Sequence, residues 1–240
     1  MSPSPTLVLD LDGTLVDTAP DLVTTLNVIL TSEGLPPLDF ATARKFVGYG
    51  ARVMINAGFR ACGAIPEDEQ LDRLFLVYLA HYSDHIADYS EPFPGVAESL
   101  DRFSKAGWTL AVCTNKQETP AKLLLTRLGL ADRFAFIAGH DTFGTPKPDP
   151  RALLRTLAEA GGDPAAAIMV GDSDVDIATG RAAGVPVVGV SFGYSQTPIA
   201  DLGPDAAIDH FDQLFDAANR LVGHKPQSDV AGAGFGSTVA

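Results

Sequence analysis

The stretch Thr6-Leu7-Val8-Leu9-Asp10-Leu11-Asp12-Gly13-Thr14-Leu15 decides the fold. Its first four residues carry no charge and read as a short strand buried on both faces. Two carboxylates two residues apart follow at once. Such a pair at the end of a buried strand is costly unless a cation or a proton stands between the two groups. A calcium-binding loop is excluded: its position 6 would be Leu15 rather than Gly, and its position 12 would be Asp21 rather than Glu.

Further apolar runs repeat the pattern downstream. Thr109–Cys113, Ala135–Ala138, Ala167–Val170 and Val187–Val190 read as buried strands, each followed by a helical pattern, and Ala206–Ile208 as a weaker sixth. Strands alternating with helices predict an α/β fold, a Rossmann-like, doubly wound parallel sheet. About a hundred residues separate Leu9 from Thr109, whereas a parallel crossover needs only about a dozen. A helical insert is therefore expected. Leu22, Val23, Leu26, Ile29 and Leu30 form one helical stripe, and Leu71, Leu74, Phe75, Tyr78, Leu79 and Tyr82 a second, read as core. Glu91-Pro92-Phe93-Pro94-Gly95 marks the exit. The expected organisation is a core of residues 1–16 and 93–225, a helical cap over 17–92, and a disordered tail over 226–240, which is rich in Gly, Ser and Ala.

Composition narrows the function. With 17 Lys and Arg against 30 Asp and Glu, the net charge is −13, which disfavours nucleic acid or anionic lipid as partner. No apolar run is long enough to span a bilayer, and no secretion signal is visible at the start. Two cysteines, Cys62 and Cys113, form no disulfide framework, and a cytoplasmic location is expected. A monomer and a homodimer are both compatible with these features.

Ligands of open parallel sheets bind outside the carboxyl ends of the strands. Three more polar groups stand there. Thr114-Asn115-Lys116 offers a hydroxyl and main-chain N–H groups suited to phosphoryl oxygens, although alone it reads as a helix N-cap. Lys147 lies between prolines in Pro146-Lys147-Pro148-Asp149-Pro150, a stiffened cation that alone reads as a solvated loop lysine. Gly171-Asp172-Ser173-Asp174-Val175-Asp176 puts three carboxylates after a strand, and Ile177 excludes an EF-hand. Dense carboxylates at two strand ends suit a hard divalent cation, Mg²⁺ above all in phosphate chemistry.

The ordered set Asp-x-Asp-Gly-Thr, Thr-Asn, Lys-Pro and Gly-Asp-Ser-x-x-Asp resembles the haloacid dehalogenase superfamily over residues 6–222, with the insert where that family carries its cap. Within it, Phe46-Val47-Gly48-Tyr49-Gly50 and Thr142–Pro150 resemble the bacterial phosphoglycolate phosphatases. The resemblance implies a Mg²⁺-dependent phosphatase working through an aspartyl-phosphate on a small phosphorylated substrate. Asp10 would be the nucleophile and Asp12 the general acid and base, its main-chain carbonyl also ligating the metal. Thr114 and Asn115 would hold phosphoryl oxygens, and Lys147 would balance the charge between Asp10 and phosphate. Asp172 would ligate the metal together with Asp10, and Asp176 would stand in or beside its shell. A phosphatase for another small ester or pyrophosphate, a phosphomutase, and a phosphonatase using Lys45 are the alternatives of the same fold. Asp12 argues against a dehalogenase, whose leaving group needs no acid. The intact acid and lysine set argues against a non-catalytic regulator.

Substrate choice is expected to lie in the insert. Arg44, Lys45 and Arg52 cluster around Gly48 and Gly50, and glycine backbone can approach an anion closely. Gly48, Gly50 and Arg52 are the expected readers of a substrate carboxylate, Arg52 through its planar guanidinium. His81 and His85 are spaced as a possible metal pair but read as a solvated helix face. His140 has no expected role, and Cys113 is expected to be a buried small hydrophobe.

Overall fold

The computed structural model describes residues 4–48 and 50–223. The expected tail, residues 226–240, lies outside the described residues, as do residues 1–3 and 224–225 of the expected core and Tyr49 of the expected cap.

Strand β1 (Thr6–Leu9) is buried at every residue. It lies in the middle of a six-stranded parallel sheet with β4 (Thr109–Cys113), β5 (Phe136–Ala138), β6 (Ala167–Gly171), β7 (Val187–Val190) and β8 (Ala206–Ile208), in the order β5-β4-β1-β6-β7-β8. Leu7 pairs with Leu110 on one side and Ile168 on the other. The side chains alternate as a strand requires. Leu7, Leu9, Val112 and Val170 face one apolar layer, shared with α5 (Val96–Lys105), α6 (Glu118–Arg127) and α9 (Leu214–Gly223). Val8, Ala111, Cys113 and Met169 face the other, shared with α7 (Pro150–Glu159) and α8 (Asp174–Ala183). Both faces are covered, which is why these strands read as unbroken apolar runs.

The chain moves outward from β1 to β4 and β5, then returns past β1 to β6, β7 and β8. This reversal beside β1 creates the crevice where ligands of such sheets bind. Asp10, Thr114 and Asp172 each follow the last residue of a strand bordering it.

The insert leaves and returns through a two-stranded antiparallel ribbon, β2 (Val16–Asp17) and β3 (Glu91–Pro92), with Val16 opposite Pro92. Between them run α1 (Ala19–Ser32), α2 (Phe40–Arg44), α3 (Ala51–Ala61) and α4 (Asp68–Asp84). Both expected stripes are found. Leu22, Leu26, Ile29 and Leu30 of α1 are buried, as are Leu71, Leu74, Tyr78 and Tyr82 of α4. Phe75 and Leu79 differ: they are half-buried and line a cavity, so the stripe also forms part of a cavity wall. Asp21, buried in α1, accepts hydrogen bonds from Ser90 N (2.8 Å), Ser90 Oγ (2.6 Å) and Tyr89 N (3.0 Å), which ties the outgoing helix to the returning strand.

Candidate active site

Asp10, Asp172 and Asp176 each present a carboxylate oxygen within 4.8 Å of the others, and all three residues are buried. The Lys147 ammonium stands among them, 2.8 Å from Asp10 Oδ1 and 2.6 Å from Asp176 Oδ1, its side chain 2% exposed. Burial alone would lower that lysine's pKa. The Asp10 and Asp176 carboxylates more than offset burial and hold its pKa well above the ordinary lysine value. One ammonium cannot neutralise three carboxylates. Burial pushes the Asp10 carboxyl up to about 6 against the pull of Lys147, with Asp176 and Asp12 adding to the rise. Burial, then Asp176 and Asp10, push Asp172 up to about 8.

This deficit of two positive charges is what a divalent cation supplies. Asp10 Oδ1 is buried with no aligned hydrogen-bond donor, since the nearby Lys147 contact is one of charge rather than of hydrogen-bond direction. The donors are all hard carboxylate oxygens, the set that suits a hard divalent ion. Asp172 is aimed by the Tyr194 N–H, 2.6 Å from its Oδ2, and by Thr14 Oγ1, 3.3 Å from its Oδ1. Asp176 has less freedom. Its Oδ2 accepts from Ser173 Oγ (2.6 Å) and Ser173 N (3.2 Å) in a capping box at the start of α8, while Oδ1 holds Lys147. Gly13 passes over Asp172 with φ of +81°, and a Cβ there would lie 2.5 Å from Asp172 Oδ2, so only glycine fits.

Asp12 stands apart from this cluster. Its side chain is 14% exposed, and its Oδ1 accepts from Thr18 Oγ1 at 2.7 Å. The Lys116 ammonium, 8% exposed, lies 2.9 Å from both Asp12 oxygens and 4.8 Å from the centre of the Tyr82 ring. Thr114 is buried, and its hydroxyl accepts from Lys116 N at 3.1 Å, which leaves the hydroxyl proton to donate elsewhere.

Two of the expected binding residues make other contacts. The Asn115 side chain bonds the main chain of Lys147. Its Nδ2 donates to Lys147 O (3.1 Å) and its Oδ1 accepts from Lys147 N (2.8 Å), so the amide holds the main chain of the catalytic-site lysine. Arg52 lies away from the cavity. It is 44% exposed and paired with Asp72 and, at 3.8 Å, with Asp68 of α4.

The site opens into a cavity of about 120 Å³ between the sheet edge and the insert. Gly48 and Gly50 do line it, with φ of +100° and +90°. Lys45 is exposed, turns its carbonyl to Gln196 Nε2, and does not line it. Arg44 donates to Gly193 O at 2.9 Å and lies over the Tyr194 ring, linking α2 to the loop after β7. His140 lines the cavity. His81 and His85 stack on each other with ring centres 4.5 Å apart, and His85 Nδ1 pairs with Asp88 Oδ2 at 2.7 Å. Cys113 is buried, its thiol pushed up to about 11 by burial.

Three residues carry parts of this site that the motifs did not point to. Lys116 was signalled only by following Thr114 and Asn115. Thr18 and Tyr194 carried no local signal. The Tyr194 hydroxyl accepts from Thr18 N (2.6 Å) and Ala19 N (2.9 Å) and donates to Asp17 Oδ1 (2.7 Å), while its main-chain N–H holds Asp172, so one residue joins the acidic cluster to the ribbon and to α1.

Comparison with known proteins agrees with this architecture. The family model of the haloacid dehalogenase-like hydrolases matches residues 7–190. A phosphoglycolate phosphatase of Mesorhizobium japonicum is 49% identical over 219 residues, 91% of this chain and 96% of its own length. One of Agrobacterium fabrum is 47% identical, covering 88% of this chain and 91% of its own. A crystal structure described as a predicted phosphoglycolate phosphatase from Haemophilus somnus superposes with a TM-score of 0.83 at 28% identity, over 90% of this chain and 98% of that one.

Proposed function

This chain belongs to the haloacid dehalogenase-like hydrolases, and we propose that it hydrolyses 2-phosphoglycolate to glycolate and inorganic phosphate. The buried triad Asp10, Asp172 and Asp176 around Lys147 carries the chemical part of this reading. The chain's similarity to phosphoglycolate phosphatases supports the substrate.

In the first step a carboxylate oxygen of Asp10 attacks phosphorus and the bond to the glycolate oxygen breaks. Asp12 gives its proton to that oxygen as it leaves. In the second step Asp12 takes a proton from water, the water oxygen attacks phosphorus, and the Asp10 carboxylate is released with inorganic phosphate. Lys147 keeps Asp10 ionised and compensates charge as phosphate draws near. Thr114 directs its hydroxyl proton to a phosphoryl oxygen, and Asn115 fixes Lys147 through its main chain. Mg²⁺ held by Asp10, Asp172 and the Asp12 carbonyl would supply the remaining positive charge between the anionic nucleophile and the anionic ester. Asp176, already bonded to Ser173 and Lys147, serves outside the inner shell.

Helices α1–α4 act in this reading as a cap over the core of residues 4–16 and 93–223, hinged at β2 and β3, with Gly48 and Gly50 lining the cavity beside the substrate. No helix among the described residues is long and apolar enough to cross a membrane. The unpaired state of Cys62 and Cys113 supports work in a reducing cytoplasm. The test is a screen of small phosphate esters and pyrophosphate with Mg²⁺. The expected result is the highest kcat/KM on 2-phosphoglycolate, and a clear preference for a sugar phosphate or pyrophosphate would overturn the substrate assignment.

A further inference from the structure

We propose that the substrate carboxylate is bound by the Lys116 ammonium of the core together with the Tyr82 hydroxyl of α4. This rests on the reading of 2-phosphoglycolate as substrate and supplies the reader that Arg52 does not. An anionic leaving group in a chain of net charge −13 needs a fixed cation within reach. The Lys, Arg and His residues lining the cavity, among the described residues, are Lys116, Lys147 and His140. Lys147 is committed to Asp10 and Asp176. Of the other two, an ammonium is a permanent cation and an imidazole is not.

The position of Lys116 fits the shape of the ester. The carboxylate carbon of 2-phosphoglycolate lies two bonds beyond the ester oxygen. Asp12 is the acid that serves this oxygen, and the Lys116 ammonium touches both oxygens of Asp12. The cation therefore stands immediately past the leaving group. An ammonium has three donors; two point to Asp12, and one remains for a substrate oxygen.

Tyr82 supplies the second contact. It lines the same cavity, its ring lies 4.8 Å from the Lys116 ammonium, and its hydroxyl is buried without a hydrogen-bond partner among the described residues. A buried hydroxyl without an acceptor is costly, and a carboxylate oxygen would satisfy it. Burial, then Asp12 and Asp21, hold its phenol well above its usual range, so it stays a donor. Core and insert thus each give one contact, and both are made only when α4 covers the site.

The experiment compares kcat/KM for 2-phosphoglycolate with that for ethyl phosphate, the same two-carbon ester with a methyl group in place of the carboxylate. Losing a charged hydrogen bond should cut the ratio of the two roughly 10- to 100-fold in Lys116→Met. Tyr82→Phe, which keeps the ring and its packing, should cut it about three- to tenfold, and Lys116→Arg should retain part of the preference. Calorimetry in an Asp10→Asn background, where turnover is blocked, should show Lys116→Met weakening 2-phosphoglycolate more than ethyl phosphate. An unchanged ratio in Lys116→Met and Tyr82→Phe would overturn the assignment and leave the substrate reading intact. A wild-type enzyme with no preference for 2-phosphoglycolate would instead overturn the substrate reading itself.

Discussion

Replacing Asn115 by alanine removes both hydrogen bonds that hold the main chain of Lys147, from Asn115 Nδ2 to Lys147 O at 3.1 Å and from Lys147 N to Asn115 Oδ1 at 2.8 Å. At about 0.5–1.5 kcal/mol each, the pair contributes about 1–3 kcal/mol to stability. A loss near the middle of that range, about 2 kcal/mol, lowers the melting temperature of a domain this size by about 4–8 °C. Activity should fall further than stability. The Lys147 ammonium works at 2.8 Å from Asp10 and 2.6 Å from Asp176, and misplacing a group by about 1 Å can cost roughly 10²-fold in rate. Calorimetric melting and steady-state kinetics on the same preparation separate the two candidate roles. A positioning role predicts a lower melting temperature and a lower kcat, with KM little changed. A raised KM with unaltered melting would refute it and return the Asn115 side chain to direct phosphate binding.

In chelator-treated protein, Asp10 and Asp172 hold their protons up to about 6 and about 8, against about 3.9 for an unfolded aspartate. The folded site then binds more protons than the unfolded chain, so its contribution to stability falls as pH rises from about 4 to about 8. Urea unfolding should show this slope shrinking in Asp172→Asn and on adding Mg²⁺; an unchanged slope in both would contradict the charge deficit. Asp172→Ala should weaken Mg²⁺ binding by calorimetry about tenfold or more, whereas Asp174→Ala, exposed at the start of α8, should change it little. Arg52→Ala should leave kcat/KM for 2-phosphoglycolate within about twofold, because its surface ion pairs with Asp68 and Asp72 contribute at most about 1 kcal/mol each. A tenfold rise in KM would restore Arg52 as a reader.

The sheet was legible because its strands are covered on both faces. Runs such as Leu7-Val8-Leu9 and Ile168-Met169-Val170 tolerate no charge until the strand ends, so the first carboxylates after them, Asp10 and Asp172, stood out. The return of the chain past β1 could not be read from these runs, since the strands look alike whichever neighbour they pair with. Within the insert, periodicity revealed α1 and α4 but not the distance between α3 and α4. That distance decides Arg52, which reaches acids 16 and 20 residues later. In a chain with 30 acidic and 17 basic side chains, a helix-borne arginine should have been expected to find such partners. Lys116 was adjacent to a recognised pair yet unassigned, because its partner Asp12 is 104 residues away. Tyr194 is harder still, for its hydroxyl acts on residues more than 170 positions earlier and nothing local marks it.

The claim that Asp10 accepts the phosphoryl group of 2-phosphoglycolate is tested most directly by acid quenching during turnover with Mg²⁺, followed by peptide mass spectrometry. The account predicts a peptide spanning Asp10 heavier by one phosphoryl group, its label removed by hydroxylamine and absent from Asp10→Asn. Sustained turnover of 2-phosphoglycolate by Asp10→Asn, or a phosphoryl group found on another residue, would contradict it.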